Sequence, residues 1–313
     1  MATAVSGFAA LKLPLKQLLL ALGAAATAYA LVLLLTGNAT SATRLTALWS
    51  PAGALAAALC VLNYLLRGQR WRLWMAHYGR PLAPLQGLRL YLAGYTFTPT
   101  PGNVGEAARG LLLRQPLGAA DSLAIFGAER LADLLGLLLL TLPGLWWLLQ
   151  LPDVAAWQLQ LGTAAAAAAL LVLGLLFTFR QRLFSRLPWL HAAWHCLATR
   201  PWRWLGLTLL AWAAQGLATW LVCQALFGWS IEPWLATGFY ALAMVGGALS
   251  MLPAGLGGTE ALLTGLLALH GAPLATAVGI TVLVRLLTLW LAVAIGVLAL
   301  LYSATFPKDI CLR

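Results

Sequence analysis

Six charged residues lie in or beside otherwise apolar sequence: Glu106, Glu129, Arg130, Asp133, Glu260 and Arg285. A charge at the centre of a bilayer costs roughly 2.5–3.5 kcal/mol even on lenient insertion scales, so each of these must pair or line water. Glu129, Arg130 and Asp133 fall within little more than one helical turn, with Asp133 four residues after Glu129, so a helix presents them on neighbouring faces. Arg285 stands alone in 280–294 and needs an acidic partner from another helix. Glu260 is the candidate partner for Arg285, and Glu106 for Arg130. Three chemistries suit such residues. The pairs could be buried pins that hold neighbouring segments together. An arginine facing a cavity could bind an anionic headgroup, because its planar fork donates two parallel hydrogen bonds to phosphate. Glu106 or Glu129 could instead act as a general base on a lipid, although no Ser/His/Asp set or metal cluster accompanies them.

The elements that must position these residues are membrane helices. Of 313 residues 62% are hydrophobic and 9% charged, against about 25% charged in a soluble domain. A water-soluble globule is excluded, and no soluble stretch is long enough for a cytosolic catalytic module of about 100 residues. Apolar runs long enough to span fall at 17–35, 51–66, 131–150, 155–178, 204–226 and 273–301. Lys12 and Lys16 precede the first, and the apolar stretch continues past the cleavage-like Ala28-Tyr29-Ala30. It therefore reads as an uncleaved helix with the amino terminus inside.

Two stretches do not read as simple spans. Residues 82–118 are broken by Pro101, Gly102 and Gly105, and residues 235–270 by Pro253, Gly255 and Gly257. Proline and glycine inside a membrane segment free backbone polar groups, which protein or cavity water must then satisfy. Both stretches read as re-entrant hairpins, giving about six transmembrane helices plus two hairpins; a simple count of about eight spans is the alternative. With the hairpins, 16 of the 19 basic residues fall on the inside face, among them Arg67, Arg70, Arg72, Arg80, Arg89, Arg109, Arg114 and a basic loop at 179–203. Arg44 lies outside, and Arg130 and Arg285 lie within the membrane. Both termini are placed on the inside face, in the cytoplasm.

The two broken stretches resemble each other. Pro101-Gly102-Asn103-Val104-Gly105-Glu106 is matched by Pro253-Ala254-Gly255-Leu256-Gly257-Gly258-Thr259-Glu260, and an arginine follows each glutamate at 24 and 25 residues. The chain thus reads as one all-α polytopic domain over 1–313, with repeat halves at 15–150 and 155–303. The charge-derived topology inverts one half relative to the other, as in many secondary transporters, where paired Gly/Pro-broken segments point to the substrate site. The expected substrate-binding set is Arg130, Arg285, Glu106, Glu260, Glu129, Asp133 and Arg109, with Asn103 and Tyr95 as further donors. These charges are expected to surround a wet pocket between the halves.

The remaining signals are bland. Cys60, Cys196, Cys223 and Cys311 show no metal or disulfide spacing. His191 and His195 lie four apart in a basic, Trp-rich loop without an acidic partner, so no metal site is read there. Tryptophans such as Trp49, Trp71, Trp74, Trp146, Trp202, Trp204 and Trp234 fall near span ends and read as an interfacial belt. The basic loop reads as a solvated face for anionic lipid headgroups, and no nucleic-acid partner is expected.

The segments "TPTPGNVGEAARGLLL", "FGAERLADLLGLLLL", "LPAGLGGTEALLTGLLALHG" and "VLVRLLTLWLAVAIGVL", with "RWRLWMAHYG" upstream, resemble the membrane region of lysylphosphatidylglycerol synthases and the stand-alone flippase-like proteins that share it. The resemblance covers roughly 15–305. It implies movement of an amphiphilic lipid between leaflets, without a cofactor. It implies no synthase activity, since aminoacyl transfer belongs to a cytosolic domain that this chain, ending at Arg313, is expected to lack. Related stand-alone members accompany hopanoid, isoprenoid or glycolipid pathways. The headgroup therefore stays open, as do lipid-biosynthesis enzymes and a second copy of the chain as partners, and a non-transporting scaffold role. The sequence departs from the family at 253–258, where two glycines more often follow the proline directly. No ATP-binding P-loop occurs, so movement is expected to be downhill or ion-coupled.

Overall fold

A computed structural model of the chain describes residues 46–113, 117–151, 178, 188–250 and 252–305. The spans expected at 17–35 and, apart from Thr178, at 155–178 lie outside these. The described residues are almost wholly helical. Four helices are long and apolar enough to cross a membrane, at Pro51–His77, Ala120–Leu149, Pro201–Leu226 and Leu274–Ser303; two shorter apolar helices run Pro233–Leu249 and Gly258–Leu269.

Helix α1 (Pro51–His77) starts where Ser50 accepts a hydrogen bond from the Gly53 amide at 3.2 Å, with Pro51 supplying a pre-set φ in the first turn. It runs eleven residues beyond the apolar stretch that ends at Leu66. Arg67 and Arg70, expected in an inside loop, are therefore buried within the helix. The physical reason is an acid on a neighbouring helix, described below.

Helix α2 (Pro84–Ala93) tightens into a 3-10 turn at Gly94–Phe97 and is followed by a 3-10 stretch, Pro101–Leu112. Helix α3 (Ala119–Leu149) begins twelve residues before the apolar run at 131–150 and carries Pro143 inside it. Residues 188–198, expected in a solvated loop, form helix α4 (Pro188–Ala198), which packs on α3 through buried Ala193 and Cys196.

Helix α5 (Pro201–Leu221) ends in a π-turn at Val222–Leu226. Helices α6 (Pro233–Leu249) and α7 (Gly258–Leu269) flank a second broken turn at Pro253–Gly255. Helix α8 (Leu274–Arg285) passes through a π-turn at Leu286–Trp290 into α9 (Leu291–Thr305).

Packing crosses between the two parts of the chain. Helix α1 lies against α5, α3 against α6, and α9 against α2 and Gly94–Phe97. Small residues allow close backbone approach without a hydrophobic driving force. A Cβ on Gly238 of α6 would lie 2.5 Å from the Gly144 amide nitrogen of α3, and one on Gly296 of α9 would lie 2.6 Å from the Thr96 nitrogen. The last long helix of each part thus grips the first arm of the other part's broken segment. Exposed leucines, such as Leu138, Leu142 and Leu145 of α3 and Leu298 of α9, cover the outside.

The tryptophans divide. Trp49 and Trp202 are more than four-fifths exposed, and Trp146 and Trp234 are also exposed. Trp71, Trp74 and Trp204 are instead buried in the core, because α1 continues past the point where the apolar run stops.

Candidate functional site

The first charged centre gathers on three elements. Helix α3 contributes Glu129, Arg130 and Asp133, α1 contributes Arg67 and Arg70, and the 3-10 stretch contributes Glu106 and Arg109. Asp133 accepts from Arg67 Nη2 at 2.7 Å, Arg70 Nη1 at 2.8 Å and the Trp212 indole N–H of α5 at 3.1 Å. Arg130 Nη2 lies 3.5 Å away. Glu106 accepts from Arg109 Nη2 at 2.7 Å, Arg130 Nη2 at 3.2 Å and the Thr98 hydroxyl at 2.9 Å. Arg109 also reaches Glu129 at 3.0 Å.

Local geometry explains why the arms fold this way. Arg109 donates its Nε–H to the Glu106 carbonyl and lies over the Tyr91 ring, 4.4 Å from its centroid. A Cβ on Gly94 would lie 2.8 Å from Arg109 Nε, so glycine makes room for the guanidinium. Tyr95 accepts from Arg67 Nη1 at 3.2 Å and donates to the Tyr91 hydroxyl. Asn103 takes a left-handed φ of 56° at the turn, a conformation that asparagine tolerates better than most residues.

The second centre is smaller. Arg285 donates its Nε–H to Glu260 at 2.7 Å and its Nη2–H to the Ala254 carbonyl at 2.8 Å. The other oxygen of Glu260 accepts from the Gly257 amide at 2.7 Å, which caps α7. Ala254, Gly255 and Gly257 all have positive φ, at 54°, 66° and 86°. Glycine takes this backbone freely; Ala254 does so with a side chain, at the position where the sequence departs from the family's double glycine.

Both carboxylate–arginine pairs read from the sequence, Glu106–Arg130 and Glu260–Arg285, are formed. Tyr95, Glu129, Asp133 and Arg109 join the first centre. Asn103, Pro101, Gly102 and Gly105 form its turn, and Pro253, Gly255 and Gly257 form the second. The two turns touch: Pro101–Leu112 packs against Pro253–Gly255.

Sequence reasoning missed Arg67, Arg70 and Trp212. The two arginines were counted with the inside-face charges, although their three-residue spacing on a helix was the available signal. Trp212 sits mid-run among apolar residues, where nothing marks it as a donor.

The first centre sets four guanidinium groups against three carboxylates, an excess of one positive charge. Nε and Nη2 of Arg70, Nε of Arg67 and Nε of Arg130 are buried and meet no acceptor among the described residues. Trp71, Glu106, Arg109, Ser122, Phe126 and Glu129 line a space of about 10 Å³, room for about one water. Only the edges of the centres open: the Arg130 side chain is 29% exposed and that of Glu260 is 19% exposed, whereas Arg67, Arg70, Arg109, Glu106 and Arg285 are buried.

These features define a helical multi-pass membrane protein with two charged centres inside its bundle. The chain belongs to the lysylphosphatidylglycerol synthase TM region family, whose sequence model matches residues 17–296. No curated protein shows significant similarity to it.

Proposed function

We propose that the chain is a lipid translocator, moving an amphiphile with an anionic or zwitterionic phosphate headgroup between leaflets of a bacterial inner membrane. The observation that carries this reading is the convergence of the two broken turns. Each bears a glutamate, each glutamate holds an arginine from the following long helix, and the turns meet one another. The ten residues of α2 rise about 15 Å and the seventeen of α6 about 25 Å, short of a hydrocarbon core of about 30 Å. They read as arms of re-entrant hairpins in an inverted repeat, with both termini cytoplasmic. The crossed grips of α3 on α6 and of α9 on α2 are the packing that such a repeat produces.

A phosphate would enter at the open edge of Arg130 and compete with Glu106 for its fork. The excess positive charge and the surplus guanidinium donors favour an anion there. The space beside Glu106 and Arg109 holds about one water. Passage of a headgroup requires the arms to part, while the lipid tails stay outside the exposed leucines. Membership of a family tied by name to a lipid pathway supports a lipid substrate.

The test is flipping of a fluorescent phospholipid in proteoliposomes. Arg285→Ala is expected to abolish flipping at unchanged reconstitution. Arg130→Gln, at the half-open edge, is expected to lower it at least tenfold while the fold is kept. Wild-type rates in both variants would mean that the guanidinium groups only pin the fold, and the translocator reading would fall. Turnover of a lipid in detergent, where no leaflets exist, would point instead to a lipid-modifying enzyme.

A further inference from the structure

Helix α4 carries a feature that lipid translocation does not use. His191 and His195 stand one turn apart on its exposed side, and their Nε2 atoms share a hydrogen bond of 3.2 Å. The ring centroids are 4.5 Å apart and the planes cross at 84°. The ring tips are closer than the ring centres, so the two imidazoles converge on their Nε2 atoms.

That spacing matches chelation. Two nitrogens at about 2.0–2.1 Å from one ion lie about 2.8–3.4 Å apart, between a square-planar right angle and a tetrahedral angle. The observed 3.2 Å falls inside this interval. The helix beneath the rings is already fixed. Ala193 and Cys196 are buried against α3, and the Trp204 indole donates to the Leu197 carbonyl at 2.7 Å. The Thr199 hydroxyl donates to the His195 carbonyl at 2.9 Å and lies 3.4 Å from His77 Nδ1 of α1. Little conformational freedom remains to be lost when an ion binds.

We propose that His191 and His195 form a two-imidazole site for a borderline divalent transition ion of the Ni²⁺, Cu²⁺ or Zn²⁺ type. Imidazole nitrogen suits these ions, whereas Mg²⁺ and Ca²⁺ require oxygen ligands. Among the described residues no group of three or more His, Cys, Asp or Glu could hold a metal, and the site proposed rests on these two imidazoles. An ion bridging residues four apart braces α4. Since α4 packs on α3, which carries Glu129, Arg130 and Asp133, the brace reaches the helix of the first charged centre.

The experiment uses the full chain, without an affinity tag, in detergent micelles. Ni²⁺ and Cu²⁺ are titrated by calorimetry, and the nitrogen couplings of bound Cu²⁺ are read by electron paramagnetic resonance. The wild type is expected to bind one ion more than the double variant His191→Ala/His195→Ala, with two equivalent nitrogens on that copper. Each single variant should weaken this binding at least tenfold. Both rings are exposed, so unfolding temperatures without metal should match the wild type. The chain has two other histidines, His77 and His270, and weak binding through them persists equally in every variant. Equal stoichiometry in wild type and double variant, or wild-type affinity in His195→Ala, overturns the proposal.

Discussion

The two charged centres answer the same demand with different means. Around α3, seven acidic and basic side chains share their contacts: Asp133 is held by two arginines and an indole, and Glu106 by two arginines and a hydroxyl. Around α8, among the described residues, one ion pair forms, and its partners also bond to backbone, at the Ala254 carbonyl and the Gly257 amide. The first centre joins helices distant in sequence, and the second shapes its own turn. A shared network loses several ion pairs when one member is removed, while the pair at α8 loses one ion pair and the removed member's own backbone bond. The difference places the larger expected loss on substitution at α3 and the smaller at the second turn.

Substitutions can break or sharpen this contrast. The largest effect is expected from Asp133→Asn, which leaves Arg67 and Arg70 buried without a carboxylate. Breaking a buried ion pair costs about 3–5 kcal/mol, visible as a large drop in unfolding temperature in detergent; wild-type stability would mean that the network carries no weight. The crossed helix grips come next. Gly238→Ala would drive a methyl group onto the Gly144 backbone, and Gly296→Ala onto that of Tyr95 and Thr96. Each should cost about 1–3 kcal/mol by overpacking. Similar losses in the two variants would support equivalent roles, and a loss in only one would break the symmetry.

A smaller loss is expected at the second centre. Glu260→Gln keeps an acceptor for Arg285 but removes its charge, for about 1–2 kcal/mol. A loss equal to that of Asp133→Asn would erase the contrast between the centres. The smallest effect concerns Ala254, held at a φ of 54°. Left-handed backbone costs a residue with a Cβ roughly 1–2 kcal/mol, and glycine gives back about half of that in unfolded-state entropy. Ala254→Gly should therefore raise stability by up to about 1 kcal/mol, read as a small upward shift in unfolding temperature. A decrease would show that the alanine methyl packs usefully enough to outweigh its strain.

Much of this was legible locally. Apolar runs marked the four long helices, since every backbone polar group in lipid must be satisfied within a helix. Pro101, Gly102 and Gly105, and Pro253, Gly255 and Gly257, marked the two breaks because they interrupt that satisfaction. Isolated charges in apolar sequence marked Glu106, Arg130, Glu260 and Arg285, and their near-equal spacing paired them. The signal failed where a helix was not apolar all round. Arg67 and Arg70 read as the start of an inside loop, and residues 188–198 as a solvated face, because apolar runs report exposure to lipid and not burial against protein.

What the sequence determined by itself is that this chain crosses a membrane, that two of its segments are broken, and which carboxylates and arginines must find partners there. Only the tertiary structure decided that Asp133 is shared by two arginines of α1 and an indole of α5, and that the two turns meet. The reason is physical. The cost of a charge or an unsatisfied amide in lipid is set by the residue's own neighbours along the chain. Which group relieves that cost depends on how helices far apart in sequence come to lie against one another.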